Sequence, residues 1–446
     1  MSMSNHPKVY GTAAVTVAFV AGILLTLGFK DLYPDLERRY QRRRGLPSSS
    51  ADSRPGSTYL PLVKLEDHTR SARQSIVGQP TPPIPEGIEG CIGNTPLFKI
   101  RSLSEATGCE IFAKAEFLNG AGGSPKDRVA LNMIKMAEEE GLLRPGQGDT
   151  IYEGTVGSTG ISLATLARAK GYKAYICMPN DQAKEKSDLL HHLGATVERV
   201  TPAPITSTEH FVNLARKRAR QQTASGKDDS KGFFADQFES IANYLAHFKS
   251  TGPEIWQQTG GQIDAFVAGA GTGGTISGIA MYLKQEIGMG GGLRVVLADP
   301  EGSGLYNKVR HGVMFSNTER EGTRRRQQVD TIVEGIGINR ITENFEVGME
   351  LIDDAVKVSD EQAMKMARWL VEKDGIFCGS SSAVNCVAAV VTALQMPKGS
   401  RVVTILCDSG TRHLSKFWKN VAETGMEEED EGPDLLAILG IQKDGP

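Results

Sequence analysis

The segment GAGTGGT at residues 269–275 has the composition of an anion-binding loop. It follows the strand-like AFVA and runs into the helix-like ISGIAMYLKQE, so its backbone N–H groups are expected at the positive end of a helix, where a phosphate monoester binds well. A tight turn without a ligand has the same composition. The Gly-Lys-Ser/Thr ending of a P-loop is missing, and no acidic residue of RVVLADP is placed for a dinucleotide ribose. The segment therefore favours a smaller phosphorylated cofactor.

Lys126 in SPKDR directly precedes the helical pattern VALNMIKMAEEEG. A lysine beside a helix start is ordinarily an exposed cation. A lysine that reacts with a carbonyl group needs partial desolvation or a cationic neighbour to free its amine, and the helix terminus and Arg128 offer that setting. This segment alone leaves both interpretations open.

The segment TVGSTG at residues 155–160 lies between the strand-like DTIYEG and the helix-like ISLATLARAKG. Its hydroxyl groups and bare N–H groups at a helix N-terminus can bind a substrate carboxylate. A capped turn without a ligand fits equally well, so the segment is a candidate site only.

Short apolar runs alternate with helical patterns around these motifs. The strand-like runs are KAYICMP, DAFVAGAG, RVVLADP and RVVTILCDSG, which begin at residues 173, 264, 294 and 401. Strands separated by helices indicate parallel sheets covered on both faces, so the predicted fold class is α/β. Because 446 residues exceed the usual size of one hydrophobic core, we expect two domains.

Composition excludes several other classes of protein. A net charge of -3 provides no basic surface for nucleic acid, and the six cysteines contain no C-x-x-C pair, which argues against zinc and a disulfide framework. His191 and His192 lack complementary ligand spacing, so no metal site is predicted. Arg324–Arg326 is expected in a solvated loop, and Asp353 and Asp354 on an exposed helix face.

Residues 9–29 carry no charge and match the ~20 residues that a helix needs to cross a bilayer. Five arginines at positions 38, 39, 42, 43 and 44 follow, which predicts a transmembrane helix with the body of the protein in the cytosol. A cleaved signal peptide fits less well, because its apolar part is normally shorter. A mitochondrial presequence also fits less well, because it is amphipathic and this apolar run is continuous. The segment resembles signal anchors of the mitochondrial outer membrane. The endoplasmic reticulum is the alternative.

The rest of the chain divides by composition. Residues 30–87 are expected to form a basic flank and flexible linker, and residues 88–420 the globular region. Residues 421–446 form an acidic tail, with EEEDE at residues 427–431 and a possible short docking helix in LLAIL at residues 435–439.

Seven segments occur in the order found in cysteine synthases (O-acetylserine sulfhydrylases), and the chain resembles that family. The segments are SPKDR, TVGSTG, ADQFESIANY, GTGGT, VEGIGINR, CGSSSA and DSG. With cystathionine β-synthase, the family belongs to the fold type II pyridoxal-phosphate enzymes. The resemblance implies two doubly wound α/β domains. The smaller would span about residues 125–240, inserted against a larger one formed by residues 88–124 and 241–420.

The resemblance also implies a pyridoxal 5′-phosphate cofactor and roles for particular residues. Lys126 would hold the cofactor covalently and act as the base at the substrate Cα, and Ser381 would face the pyridine nitrogen. The residues implied to bind the phosphate are Gly271, Thr272, Gly273, Gly274 and Thr275, and those implied to bind the substrate carboxylate are Thr155, Thr159 and Gln237. A neutral hydroxyl at Ser381 makes the ring a weaker electron sink than an aspartate would, which favours prompt loss of a β-substituent.

The implied reaction converts O-acetyl-L-serine and sulfide to L-cysteine and acetate by β-replacement, in a homodimer by analogy. Two features depart from the family pattern. Ser158 stands where the family usually has an asparagine facing the cofactor's ring oxygen, and Pro125 with the glycine-rich stretch at residues 119–123 gives the lysine loop an unusual composition. Alternatives are cystathionine formation, serine dehydration, cysteine desulfhydration, and a weakly active scaffold protein on the membrane.

Overall fold

The computed structural model describes residues 84–182, 184–225, 229–314, 331–423 and 434–440. The predicted membrane span at residues 9–29, most of the linker and the acidic run at residues 427–431 lie outside these ranges. Within them, none of the helices has both the length and the apolar character needed to cross a bilayer.

Ten strands form two sheets in the described part of the chain. In chain order they are β1 (Leu97–Lys99), β2 (Glu110–Ala115), β3 (Thr150–Gly154), β4 (Lys173–Pro179), β5 (Thr196–Val200), β6 (Gly232–Phe234), β7 (Ala265–Gly269), β8 (Arg294–Pro300), β9 (Asp354–Val358) and β10 (Arg401–Leu406). One sheet has the strand order β1-β2-β10-β7-β8-β9, and the other has the order β5-β4-β3-β6. All neighbouring strands are parallel except β1 and β2. The α/β class is confirmed, and the larger sheet is mixed because of its antiparallel edge strand.

Helices connect these strands. The described α-helices are α1 (Arg101–Thr107), α2 (Lys126–Glu139), α3 (Ser158–Lys170), α4 (Lys184–His192), α5 (Phe211–Ser225), α6 (Ala242–Ala246), α7 (Gly252–Gln258), α8 (Gly274–Ala280), α9 (Leu305–His311), α10 (Glu343–Met349), α11 (Asp360–Asp374), α12 (Ser380–Leu394), α13 (Lys419–Glu423) and α14 (Leu435–Ile438). π-helical turns follow α6 and α8 and precede α13.

Both faces of each sheet are covered by helices. Successive residues of a strand point to opposite sides of the sheet, and they pack in different cores. In the six-stranded sheet, Val267 packs in one core with α1, α11 and α12, whereas its neighbour Phe266 packs in another with α8. In the four-stranded sheet, Ile176 contacts a core that includes α2 and α3, and Cys177 contacts α5. This arrangement explains why the strands are continuous apolar runs in the sequence.

The expectation that Asp353 and Asp354 lie on an exposed helix face is wrong about the helix for both residues and about exposure for Asp354, whereas Asp353 is exposed. The chain leaves α10 at Met349, and Asp354 begins strand β9 with only 9% of its surface exposed. Its carboxylate is paired with Arg294 and Arg310. A strand that begins with paired acidic residues has no apolar alternation in its first positions, so the sequence pattern was misleading there.

The C-terminal segment LLAIL forms helix α14 and docks on the larger sheet's helices, as predicted. Leu435, Leu436 and Leu439 are buried in the core that contains α1 and α11. Gln362 of α11 also donates a hydrogen bond of 2.9 Å to the carbonyl of Leu439. Helix α14 is therefore attached to the larger sheet's layer of helices.

Candidate active site

A cavity of about 480 Å³ is lined by connections from both sheets. Its wall contains the residues that begin α2 and α3, the loop between β7 and α8, the start of α12 and the segment after β10. The predicted site residues that line it are Lys126, Ser158, Gly271, Thr272, Gly273, Thr275 and Ser381. Strand ends and the N-termini of the following helices are where α/β proteins bind ligands, and the volume is typical of a small-molecule site.

Two positions of the loop after β7, Gly271 and Gly273, have room for glycine only. Gly273 has a φ of +88°, and a Cβ atom there would lie 2.5 Å from Phe345; a Cβ at Gly271 would lie 2.4 Å from the carbonyl oxygen of Gly335. Among the described residues, none accepts a hydrogen bond from the N–H groups of Gly271, Thr272 or Gly273. The loop therefore presents unused backbone donors to the cavity, which fits a phosphate group.

Neighbouring side chains hold this loop in place. Asn243 donates a hydrogen bond of 2.8 Å to the Thr272 hydroxyl, and a Cβ at Gly274 would lie 2.0 Å from the Asn243 Oδ1 atom. The Thr275 hydroxyl lies 3.2 Å from His247 Nε2. Gly274 itself does not line the cavity, because its Cα faces Asn243.

Lys126 is the first residue of α2, and its side chain is half-buried in the cavity wall. None of the described residues accepts a hydrogen bond from its Nζ atom. Burial lowers the pKa of Lys126. Burial and the nearby Asp408 also raise the pKa of the Cys407 thiol to about 12, so a neutral thiol lines the same cavity at neutral pH. A buried amine with a lowered pKa is suited to nucleophilic and base chemistry.

Asp127 orders the glycine-rich stretch before the lysine. Its carboxylate accepts hydrogen bonds from the N–H groups of Gly122 at 2.7 Å and Gly123 at 2.9 Å, and from the Ser162 hydroxyl at 2.5 Å. Ser162 belongs to α3. The glycine-rich stretch that looked unusual in the sequence is thus a turn around the Asp127 carboxylate. The same carboxylate joins α2 to α3 through its hydrogen bond from Ser162.

Arg128 anchors the start of α2 in a buried ionic network. Its guanidinium donates two hydrogen bonds of 2.8 Å to Glu116 and two, of 2.6 Å and 2.8 Å, to Glu254, which Lys114 also contacts at 2.6 Å. Although burial opposes ionisation, Arg128 and Lys114 lower the pKa of Glu254 to about 2. The charges of two cations and two carboxylates therefore balance in this network, and its central residue, Arg128, lies two positions after Lys126 in the chain. The sequence suggested Arg128 as a cationic neighbour of the lysine but not this network.

Thr155, Thr159 and Gln237 lie together but do not line the cavity. The Thr159 hydroxyl donates a 2.5 Å hydrogen bond to Gln237 Oε1, and Gln237 Nε2 donates to the carbonyl of Gly154 at 3.1 Å and to Glu153 at 3.3 Å. All three predicted residues are at most 5% exposed. The polar hydrogens of Thr159 and Gln237 are therefore already engaged, and a substrate carboxylate would have to replace one of these contacts.

Glu153 is the buried acid that fixes this group. It also accepts the backbone N–H of Gln237 at 3.2 Å. Complete burial and the neighbouring Asp236 raise the pKa of Glu153 to about 8. At neutral pH the side chain is thus mainly a neutral acid, which removes a negative charge from the region predicted to bind a carboxylate.

Ser158 is the first residue of α3 and faces the cavity. Its hydroxyl has no hydrogen-bond partner among the described residues, whereas its carbonyl accepts one from Ser162 at 3.0 Å. The hydroxyl is free to contact a bound molecule.

Four charged residues that the sequence did not reveal as a group form a chain along the cavity wall. Lys186 Nζ lies 3.0 Å from Glu334 Oε1, and His413 Nε2 lies 3.0 Å from Asp408 Oδ2. His413 Nδ1 and Glu334 Oε2 are 3.4 Å apart, an ion-pair contact that lacks hydrogen-bond geometry. Although burial opposes it, the two carboxylates raise the pKa of His413 to about 9, so the imidazole is charged at neutral pH.

The family model for pyridoxal-phosphate dependent enzymes matches residues 88–408. The chain belongs to this family. A Neurospora crassa protein named "Cysteine synthase 2" is 69% identical, and the match covers 99% of each chain. A Saccharomyces cerevisiae relative with the provisional name of a mitochondrial cysteine synthase is 55% identical over 76% of this chain and 85% of its own. A crystal structure of O-ureido-L-serine synthase matches with a TM-score of 0.64 and 29% identity, covering 79% of this chain and 98% of that one.

These likenesses confirm the family expected from the seven ordered motifs. The protein is a pyridoxal-phosphate-dependent enzyme with the α/β fold of type II. The predicted cofactor is confirmed at this level. The roles of individual site residues and the boundaries of the two domains stay predictions.

Proposed function

We propose that the enzyme is a cysteine synthase that converts O-acetyl-L-serine and sulfide to L-cysteine and acetate. The observation that carries this proposal is the 69% identity, along 99% of both chains, to a protein named Cysteine synthase 2. The free N–H donors of the loop after β7 and the buried amine of Lys126 support a phosphorylated aldehyde cofactor in the same cavity.

When bound, pyridoxal phosphate withdraws electrons from the substrate Cα, so that a β-substituent can leave. Residues 271–275 would bind its phosphate, Lys126 would hold its aldehyde carbon, and the Ser381 hydroxyl would face its pyridine nitrogen. The Lys126 amine would also take the proton from the substrate Cα. Its lowered pKa supports this role, because a larger fraction of the amine is neutral than in an exposed lysine.

The substrate carboxylate would be bound at the turn before α3. Thr155 and Thr159 supply hydroxyl donors there, and Gln237 supplies an amide. Thr159 would exchange its bond to Gln237 for one to the carboxylate. A neutral Glu153 supports this proposal, because it leaves no opposing charge beside the incoming anion.

A second candidate function is another β-replacement or β-elimination, such as cystathionine formation or serine dehydration. Ser158 favours keeping this alternative, because a serine hydroxyl reaches less far than the amide that the family usually has, and leaves more room beside the cofactor ring.

A product assay separates these functions. The purified holoenzyme would be supplied with O-acetylserine or serine as donor, and with sulfide or homocysteine as nucleophile, and the amino acids formed would be identified by mass spectrometry. We expect cysteine from O-acetylserine and sulfide to dominate. Cystathionine from serine and homocysteine as the main product, or pyruvate without a sulfur product, would contradict the proposal.

The location is also proposed. We propose an anchor in the mitochondrial outer membrane with the catalytic region in the cytosol. The charge-free residues 9–29 and the arginines after them support the anchor and its orientation, and the name of the Saccharomyces cerevisiae relative supports the mitochondrion. A homodimer is proposed by analogy. Carbonate extraction should leave the protein in the membrane pellet, and protease added to intact mitochondria should digest the catalytic region. A protected, shortened protein would contradict this topology.

A further inference from the structure

The mouth of the cavity is bordered by residues from both sheets. Val156, Leu189 and Leu414 line the cavity and are 38%, 39% and 56% exposed, so they mark where it opens to solvent. Val156 lies in the turn before α3, Leu189 lies on α4, and Leu414 follows β10. The first two belong to connections of the four-stranded sheet, and the third belongs to the six-stranded sheet.

Lys186 and Glu334 connect these two sides. Lys186 lies on α4, one turn before Leu189, and its side chain passes within 3.5–3.7 Å of the position that a Cβ on Gly157 would occupy. Glu334 lies in the segment before α10, where its N–H donates a 2.9 Å hydrogen bond to Ser380 at the start of α12. Their ion pair of 3.0 Å therefore joins the two sides of the cavity.

The ion pair is held firmly on one side only. Glu334 is fixed by Ser380 and by the charged His413, and its side chain is 17% exposed. Lys186 is 16% exposed, and Glu334 is its only ionic partner among the described residues. A lysine side chain with four rotatable bonds can leave such a contact without disturbing the rest of the wall. The ion pair can thus break and re-form while the rest of the cavity wall stays in place.

From this geometry, and on the basis of the proposed function, we infer that the Lys186–Glu334 ion pair selects the nucleophile by size, admitting hydrosulfide and hindering thiols that carry an amino-acid body. With either nucleophile the Cβ–O bond breaks and acetate leaves with the bonding electron pair, while a sulfur lone pair forms the C–S bond. Homocysteine releases its thiol proton, and hydrosulfide keeps its proton as the cysteine thiol. The chemistry is the same, so discrimination has to come from entry and fit. A closed pair narrows the cavity for homocysteine far more than for hydrosulfide.

The test compares two nucleophiles in the holoenzyme with O-acetylserine as donor. Lys186→Met keeps the unbranched shape of the side chain, shortens it by one atom and removes the ion pair. Because weakly exposed ion pairs contribute modestly, we expect the ratio of kcat/KM for homocysteine to kcat/KM for sulfide to rise about 3- to 10-fold. Glu334→Gln should raise it in the same direction, and the double variant should exceed the larger single effect only slightly, because both changes remove one interaction.

Lys184→Met is the matched control. Lys184 begins the same helix and pairs with Asp188 on the exposed surface, 81% and 49% exposed, away from the residues that line the cavity. Its removal should leave the ratio unchanged. An unchanged ratio in both Lys186→Met and Glu334→Gln, or an equal rise in Lys184→Met, would overturn the inference.

A measurement without turnover separates this inference from the proposed function. Cys407 lines the cavity and is partly exposed, so a small methylthiolating reagent and a bulky aromatic disulfide can be compared for its rate of labelling, read by peptide mass spectrometry. Lys186→Met should raise the bulky-to-small ratio about 3-fold or more. If the wild type made no cysteine, the proposed function would fail while this ratio still decided the inference. A bulky-to-small labelling ratio in Lys186→Met equal to that of the wild type would refute the inference about the ion pair.

Discussion

Glu153 offers a prediction whose size follows from the structure. The side chain is completely buried between Gly154 and Gln237, and its pKa is raised from 4.5 to about 8 by burial and by Asp236. A carboxyl group that is neutral in the native state and ionised in the unfolded state stabilises the fold fully at low pH only. Its contribution is lost as the pH rises from about 4.5 to about 8.

The magnitude follows from about 1.4 kcal/mol for each pKa unit. Between pH 5.5 and pH 8, Glu153 should lower the free energy of unfolding of the wild type by about 3 kcal/mol. Glu153→Gln cannot ionise. In the wild type one carboxyl oxygen accepts a hydrogen bond from the backbone N–H of Gln237, and in the variant an amide NH₂ group takes the place of one oxygen. The lost hydrogen bond should lower the free energy of unfolding by about 1–3 kcal/mol at pH 5.5. The variant should therefore begin less stable than the wild type and regain about 3 kcal/mol relative to it by pH 8.

Urea unfolding of both holoenzymes at half-unit steps from pH 5.5 to pH 9, followed by circular dichroism, measures this difference. Other titrating groups cancel because only the difference is used. Glu110→Gln is the control, because hydrogen bonds from Lys99 and Arg401 lower the pKa of Glu110, so its contribution is lost only at lower pH and its difference from the wild type should stay constant over this range. A difference between wild type and Glu153→Gln that stays constant with pH would refute the account of the buried acid.

Three further predictions concern other site residues. Ser158→Ala should keep the cofactor and slow turnover of O-acetylserine by less than ~10²-fold in steady-state kinetics, and Ser158→Asn should preserve or raise turnover; loss of turnover with asparagine would favour a different substrate. Arg128→Met leaves Glu116 buried without its cationic partner and Glu254 with Lys114 alone, so the free energy of unfolding should fall by about 3–5 kcal/mol, and an unchanged denaturation midpoint would contradict the network's importance. His413→Gln should destabilise the enzyme most below about pH 6.5, and the difference should vanish as the pH passes about 9, because the raised pKa of His413 makes its contribution a low-pH one; a difference independent of pH would exclude this.

The elements that carry the site were predictable where one physical requirement determined the local sequence. KAYICMP and RVVLADP coincide with β4 and β8, because strands buried on both faces need continuous apolar runs. The loop at residues 269–275 could be recognised because close contacts at Gly271 and Gly273 exclude every other residue. Lys126 was ambiguous in its own segment, and the order of seven motifs resolved its interpretation.

The charged chain on the cavity wall could not have been found in this way. Lys186, Glu334, Asp408 and His413 come from three distant parts of the chain, and each alone looks like a solvated surface residue. Only the folded arrangement of the two sheets brings their segments together. Asp354 shows the reverse error, because its partners Arg294 and Arg310 are remote in sequence and the pair of acids suggested solvent instead.

The most direct test of the account is to locate the bond between cofactor and protein. The holoenzyme should be yellow, and borohydride should remove its absorption band and fix the cofactor to one lysine. Peptide mass spectrometry should then find the reduced adduct on Lys126, and Lys126→Ala should carry none. An adduct on another lysine, or cofactor fixed equally well in Lys126→Ala, would contradict the assignment of this cavity as the active site.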